Sequence, residues 1–250
     1  MAFMNYPAVK IENLDFNYPG QSNLCFSNLN LEINAGERFG LFGPNGAGKT
    51  TLMNLMTRLL SYHEGSIQLL GHSIKTKTKE VNKLFGFVPQ DFSFYHELTI
   101  VENLEFFGAW SGMNKGEIKK RSDDFLDLYD LASVKKMRVE KLSGGMKRRI
   151  NLAIGVIHNP QILFLDEPTV GVDVQTRLDI IQYLKELNLN GTTLIYTSHQ
   201  LNEAEDLCTK IALIDEGKII ANNELNRLLL EYKQNSLEGL FLNLTGKDFR

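Results

Sequence analysis

At 250 residues, 43% hydrophobic and 23% charged, the chain has the composition of ordinary globular material, long enough to bury roughly 70% of its unfolded surface without staples. Twenty-seven Lys and Arg against 30 Asp and Glu leave a net charge of −3, which lacks the basic excess that draws proteins to nucleic acid, so no nucleic-acid partner is expected. Wholesale disorder is excluded as well, and no run approaches the ~18 apolar residues of a membrane span. Met1 to Lys10 lacks the basic and apolar regions of a signal peptide, so none is expected. The two cysteines, Cys25 and Cys208, stand apart in apolar settings, predicting buried free thiols and a reducing, cytosolic home.

From Ala8 to Phe42, short β-type segments are punctuated by Pro19-Gly20 and Asn34-Ala35-Gly36, predicting strands and hairpins. Leu52, Leu55, Met56, Leu59 and Leu60 then repeat at helical spacing, the stripe of a helix packed on a sheet. β-type sequence returns at 66–70 and 85–88. Apolar spacing at 98–110, 115–131 and 146–158 is helical. Because strand-type sequence resumes at Gln161, this stretch reads as a helical insertion and not a separate domain.

Ile162-Leu163-Phe164-Leu165 is wholly apolar, the mark of a strand covered on both faces. A helix is predicted from Asp173 to Leu189 with Val174, Leu178, Ile181 and Leu184 inward, closed by Asn190-Gly191. The β-branched run Thr192 to Thr197 supplies the next strand. Strand, helix and strand make a βαβ unit, so the fold class is α/β with a mainly parallel sheet. Ile211–Ile214 and Lys218–Ala221, joined by Glu216-Gly217, predict a closing hairpin.

Gly43-Pro44-Asn45-Gly46-Ala47-Gly48-Lys49-Thr50 fits G-x-x-x-x-G-K-[ST] between a predicted strand and helix. Glycines let backbone N–H groups close around phosphate oxygens, and the following helix adds its positive end. Lys49 is expected to reach the β- and γ-phosphates, Thr50 to hold Mg²⁺, and Thr51 to line the same site. The apolar strand ends in Asp166-Glu167, where open α/β sheets place ligands. Asp166 is expected to hold the metal and Glu167 to polarise the attacking water of a Mg²⁺·ATP site. Two solvated loop acids are the alternative, which the phosphate loop disfavours.

Leu142-Ser143-Gly144-Gly145-Met146 resembles the signature motif of the ATP-binding cassette ATPases, and other motifs of that family occur in order along nearly the whole chain. The resemblance implies that Tyr18 stacks on adenine and that Gln90 joins the catalytic core to the helical insertion and reaches the metal. By the same token Asp173 is the acid of the loop after Glu167, and His199 is the switch histidine beside the γ-phosphate. His63, His72, His96 and His158 are read as surface or core residues. Ser143, Gly144 and Gly145 precede a helix, so they offer a hydroxyl, bare N–H groups and a positive helix end. The family resemblance makes this a second phosphate-binding surface and implies a head-to-tail pair of cassettes, a homodimer being expected, with two ATP molecules between them.

Met146 stands where the commonest family pattern has Gln, and Val170 where a small or hydroxylated residue is usual. These departures are similar to the drug- and polysaccharide-exporter branch, as is the short tail carrying Leu237, Leu240, Phe241 and Leu244. That tail is first read as a helix packed on its own domain. The family reading gives one cassette over 1–250, with an α/β core at 1–90 and 160–222, a helical subdomain at 91–159 and a helical tail at 223–250. It implies an ATPase on the inner face of the cell membrane, working through separate permease subunits, with export favoured over import. Asp91-Phe92-Ser93-Phe94-Tyr95, with Phe106, Phe107 and Trp110, is expected to form the groove for a permease helix, although Phe106 and Phe107 also suit the insertion's own core. A soluble cassette ATPase remodelling ribosomes or chromosomes is the competing reading, disfavoured by a single compact cassette without heptads.

Overall fold

The computed structural model describes residues 6–21, 23–76, 78–198 and 200–246. Alternating apolar residues make β1 (Val9–Phe16) and β2 (Phe26–Ile33), which pair antiparallel with Val9 opposite Ile33 and Phe16 opposite Phe26. β3 (Arg38–Phe42) leaves this sheet: it runs parallel between two later strands instead of returning on β2 as a hairpin. The phosphate loop follows, then α1 (Lys49–Met56). β4 (Glu64–Leu69) returns to β1, and β5 (His72–Ser73) completes a four-stranded antiparallel sheet ordered β2-β1-β4-β5.

After α2 (Thr78–Leu84), β6 (Phe85–Val88) enters the second sheet. Then come α3 (Ile100–Trp110), α4 (Lys115–Leu128) and α5 (Gly144–Val156). Capping boxes start two of them, Thr99 with Glu102 and Asn114 with Glu117, each satisfying helix N–H groups that would otherwise lack partners. β7 (Ile162–Asp166), α6 (Val174–Leu189) and β8 (Thr193–Thr197) form the parallel βαβ unit. The chain ends with α7 (Leu201–Leu207), β9 (Lys210–Asp215), β10 (Lys218–Glu224), α8 (Leu225–Glu231) and α9 (Leu237–Thr245).

The larger sheet is ordered β10-β9-β3-β8-β7-β6, parallel except for β10. Every residue of β7 and β8 is buried, as expected for strands covered on both faces. Ile162 and Phe164 pack with α1 and the antiparallel sheet, whereas Leu163 and Leu165 face the core formed with the helical insertion and the later helices.

Three sequence expectations are corrected. α1 stops at Met56, because Thr57 bonds back to Met53 and Arg58 turns left-handed (φ 65°); Leu59, assigned to the buried stripe, is 63% exposed. α6 is rotated from the predicted face: Thr176, Ile180, Ile181 and Leu184 are buried while Val174 and Leu178 are exposed. Cys208 is buried, but Cys25 is only half-buried; both are free thiols. α9 lays Leu237, Leu240 and Phe241 against its own domain, and its first N–H, on Leu237, donates to Glu205 at 2.6 Å. Among the described residues, no helix is long and apolar enough to cross a membrane.

Candidate nucleotide site

The phosphate loop turns through left-handed Gly46 (φ 80°) and Gly48 (φ 107°), and a Cβ on Gly48 would strike the Phe26 ring. A second support comes from the far end of the chain. Gly217, in the turn between β9 and β10, donates its N–H to the Ala47 carbonyl at 3.2 Å. A Cβ on Gly217 would collide with the Cys25 carbonyl, and one on Gly43 with the carbonyl of Ile214.

Lys49 is buried, and its ammonium donates to the carbonyls of Gly43 (2.8 Å) and Pro44 (3.0 Å). Burial holds its pKa below the usual lysine value, opposed by the negative charges of Glu167 and Asp166. A cleft of about 660 Å³ opens beside it, lined among others by Tyr18, Asn45, Gly46, Gly48, Thr50, Thr51, Gln90 and Glu167. The Tyr18 hydroxyl meets Thr51 Oγ1 at 2.8 Å, and its ring is braced edge-on by buried Phe16 at 5.1 Å. Cys25 lines the same cleft, which explains its partial exposure.

Asp166 and Glu167 are both buried, at the carboxyl end of β7. Thr197, directly opposite Asp166 on β8, donates its hydroxyl to Asp166 Oδ1 at 2.6 Å. The Glu167 N–H donates to the hydroxyl and carbonyl oxygens of Thr197, each at 3.2 Å. Glu167 itself is left-handed (φ 51°), a conformation that directs its side chain away from the strand's alternation and that non-glycine residues adopt mainly where surroundings enforce it. Beyond it, Thr169 donates to buried Glu203 at 2.6 Å, as does Tyr196 at 2.7 Å, with Arg177 3.5 Å away.

The signature residues lie elsewhere. Ser143 caps α5 by accepting the Met146 N–H at 3.3 Å, and Ser143 and Gly144 are exposed. A Cβ on Gly145 would sit 3.0 Å from Thr176 Oγ1 and 3.5 Å from Asp173 Oδ2. Asp173 is the N-cap of α6, its carboxylate accepting the Thr176 N–H (2.9 Å) and hydroxyl (2.8 Å), which hold its pKa below the ordinary value. The structure therefore gathers Asp173 with the signature, and neither it nor Ser143, Gly144 or Gly145 lines the cleft at the phosphate loop. His199 lies outside the described residues.

Two positions went unread in the sequence. Thr197 was legible only as part of a strand, although a hydroxyl at the carboxyl end of the strand beside Asp166 is a signal. Arg148 follows the signature by a few residues and stands one turn before Leu152 on the buried face of α5.

The strand, glycine turn and helix around Lys49, with paired acids at the end of a parallel strand of the same sheet, define the core of a P-loop nucleoside triphosphatase. The ABC transporter family model matches residues 26–170. The linearmycin resistance ATP-binding protein LnrL of Bacillus subtilis is 43% identical over 193 residues, 77% of this chain and 62% of its own length. The Nod factor export ATP-binding protein I of Cupriavidus metallidurans is 38% identical over 207 residues, 83% of this chain and 68% of its own. A dimeric, post-hydrolysis structure of the ATP-binding cassette MJ0796 bound to ADP and Pi superposes with a TM-score of 0.78 at 29% identity, covering 87% of this chain and 98% of that one. The chain belongs to the ABC transporter family. It spans less than two thirds of the length of LnrL.

Proposed function

We propose that this chain is the ATP-hydrolysing subunit of a membrane exporter, acting as a head-to-tail pair of cassettes at the inner face of the membrane beneath separate permease subunits. The observation that supports the reading is that the cleft around Lys49 and the exposed α5 N-terminus at Ser143 and Gly144 lie apart on one chain; we take both as phosphate-binding surfaces. Each is half a site, and a second copy in the opposite orientation supplies the missing half. Relatives named for linearmycin resistance and Nod factor export support outward transport over the remodelling of ribosomes or chromosomes.

Within that pair, the 43–51 loop holds the phosphates, with Lys49 on the β- and γ-phosphates, and Tyr18 presents its ring to the adenine. Thr50, Asp166 and the Gln90 amide form a small set of hard oxygen donors, which suits Mg²⁺ shared with substrate phosphates. When bound, Mg²⁺ would neutralise negative charge on those phosphates. Glu167 takes a proton from the attacking water and His199 supports the γ-phosphate, the latter on family resemblance. Ser143, Gly144 and Gly145 of the second copy close over the same phosphates, while Asp173 sets the edge of that surface.

Residues 91–159 form the lobe that meets the permease. Phe94 is buried and stacked on Phe92 at 5.0 Å, so it belongs to the lobe's core and not to a groove. Tyr95, Phe106 and Trp110 are exposed and form a continuous aromatic surface, with Phe106 4.9 Å from Tyr95 and 6.4 Å from Trp110. We assign the docking role to these three.

The decisive experiment is Glu167→Gln with Mg²⁺·ATP. The expected result is loss of turnover with retained ATP and a shift from monomer to dimer in size-exclusion chromatography. A monomer that hydrolyses ATP at the wild-type rate would refute the reading.

A further inference from the structure

Arg148 is buried in α5, and its guanidinium joins two loops that approach the nucleotide cleft. One terminal nitrogen donates to the Gln90 carbonyl at 2.9 Å, the other to the Val170 carbonyl at 3.2 Å. The Phe92 ring stacks 4.9 Å from the same group. A guanidinium is a rigid, planar fork, and its two arms hold two acceptors in fixed relation as no single-point cation does. Along the same helix, Asn151 donates to the Pro89 carbonyl at 3.1 Å and accepts from the N–H (3.1 Å) and hydroxyl (2.9 Å) of Ser93. The segment from Pro89 to Ser93 is thus fastened to α5 at both ends.

The Val170 contact reaches further. Val170 donates its N–H to the Glu167 carbonyl at 3.3 Å, so both residues belong to one tight turn, and Glu167 is held left-handed within it. Within the turn, Thr169 beside Val170 is anchored to Glu203, and the Glu167 N–H is anchored to Thr197. A shift of α5 therefore pulls on the Val170 carbonyl, and the Val170 N–H bond to the Glu167 carbonyl carries that pull to the residue with the buried carboxylate.

We propose that Arg148 is a positioning residue that couples the stance of the signature helix to the alignment of Glu167. This rests on Glu167 being the residue that activates water. When the α5 N-terminus engages a partner's nucleotide, Arg148 carries that displacement to the Gln90 and Val170 carbonyls together, so water is activated only in the closed pair. Arg148 does not line the cleft at the phosphate loop and acts through the Gln90 and Val170 carbonyls.

The test is steady-state Mg²⁺·ATP turnover of the full chain carrying Arg148→Lys, which keeps the charge but loses the fork. The expected result is a fall in kcat of about ten- to a hundredfold, the range that small misplacements of reacting groups produce, with KM for ATP changed less than about twofold. Arg148→Ala should show the same split, with turnover partly restored by millimolar guanidinium ion; if Arg148→Ala does not fold, Arg148→Lys decides alone. Wild-type kcat in Arg148→Lys, or equal losses of kcat, ATP binding and thermal stability, would overturn the proposal. Glu167→Gln assayed in parallel separates the two readings. If it abolishes turnover while Arg148→Lys does not, only the positioning role falls; if Glu167→Gln keeps turnover, the catalytic assignment falls and takes this inference with it.

Discussion

Thr197 joins the two adjacent acids at the end of β7 through one hydroxyl: it donates to Asp166 Oδ1 at 2.6 Å and accepts the Glu167 N–H at 3.2 Å. A side chain on one parallel strand thereby sets both the Asp166 carboxylate and the backbone of Glu167 on the next.

Thr197→Val keeps the shape and removes that hydroxyl. A buried carboxylate oxygen losing its donor costs about 1–3 kcal/mol, to be read by urea denaturation. Half-maximal turnover should also require several-fold more Mg²⁺, whereas Thr197→Ser should restore both. An unchanged Mg²⁺ titration in the valine variant would separate Thr197 from the metal site.

Tyr18 combines a ring facing the cleft with a hydroxyl bonded to Thr51. If the ring stacks on the base, Tyr18→Phe should keep ATP affinity within about threefold, while Tyr18→Ala should lose about five- to tenfold, the worth of an aromatic stack. Equilibrium binding of a fluorescent ATP analogue distinguishes them. Equal losses in both variants would assign the effect to the hydroxyl and its hold on α1.

The Ser143 oxygen accepts the Met146 N–H, leaving the hydroxyl proton to donate outward. Ser143→Ala loses the cap, about 1 kcal/mol, along with the donor. Ser143→Asp preserves the cap and faces phosphate with like charge. Aspartate should therefore match wild type in thermal melting yet block ATP-dependent dimerisation of the Glu167→Gln protein by light scattering. Dimers of unchanged stability in Ser143→Asp would place the signature away from nucleotide.

Trp110 is 81% exposed, so replacing it with glutamine should shift stability by less than about 0.5 kcal/mol, as for other surface positions, whereas replacing Phe106, in ring contact with Tyr95, should cost about 1 kcal/mol. The variant with both replaced should lose co-purification with a polytopic membrane protein from detergent extracts. Undiminished recovery of that protein would remove the aromatic surface from the permease contact.

The signals that survived into the structure were those with short-range physical causes. The glycine spacing of the phosphate loop, the unbroken apolar run of β7 and the Glu216-Gly217 turn each needed only neighbouring residues to be read. The inward face of α6 was misjudged because Val174 and Leu178 share helical spacing with the buried Ile181 and Leu184; which apolar stripe is buried is decided by packing into the core, which takes Ile180, Ile181 and Leu184. Leu59 was misplaced because Arg58 adopts a left-handed turn that ends the helix before it. Arg148 and Thr197 were passed over as functional residues for a related reason, since their partners, Gln90, Val170 and Asp166, are distant in the chain and meet them only through the packing of α5 and the order of the sheet.

Gly217 extends this dependence to the phosphate loop itself. With its N–H on Ala47 and no room for a Cβ against Cys25, the hairpin serves as a mould that shapes the loop from behind. Loss of ATP affinity in this chain can thus originate far downstream of the glycine motif, and a geneticist mapping such a defect to codon 217 would be looking at the underside of the triphosphate site.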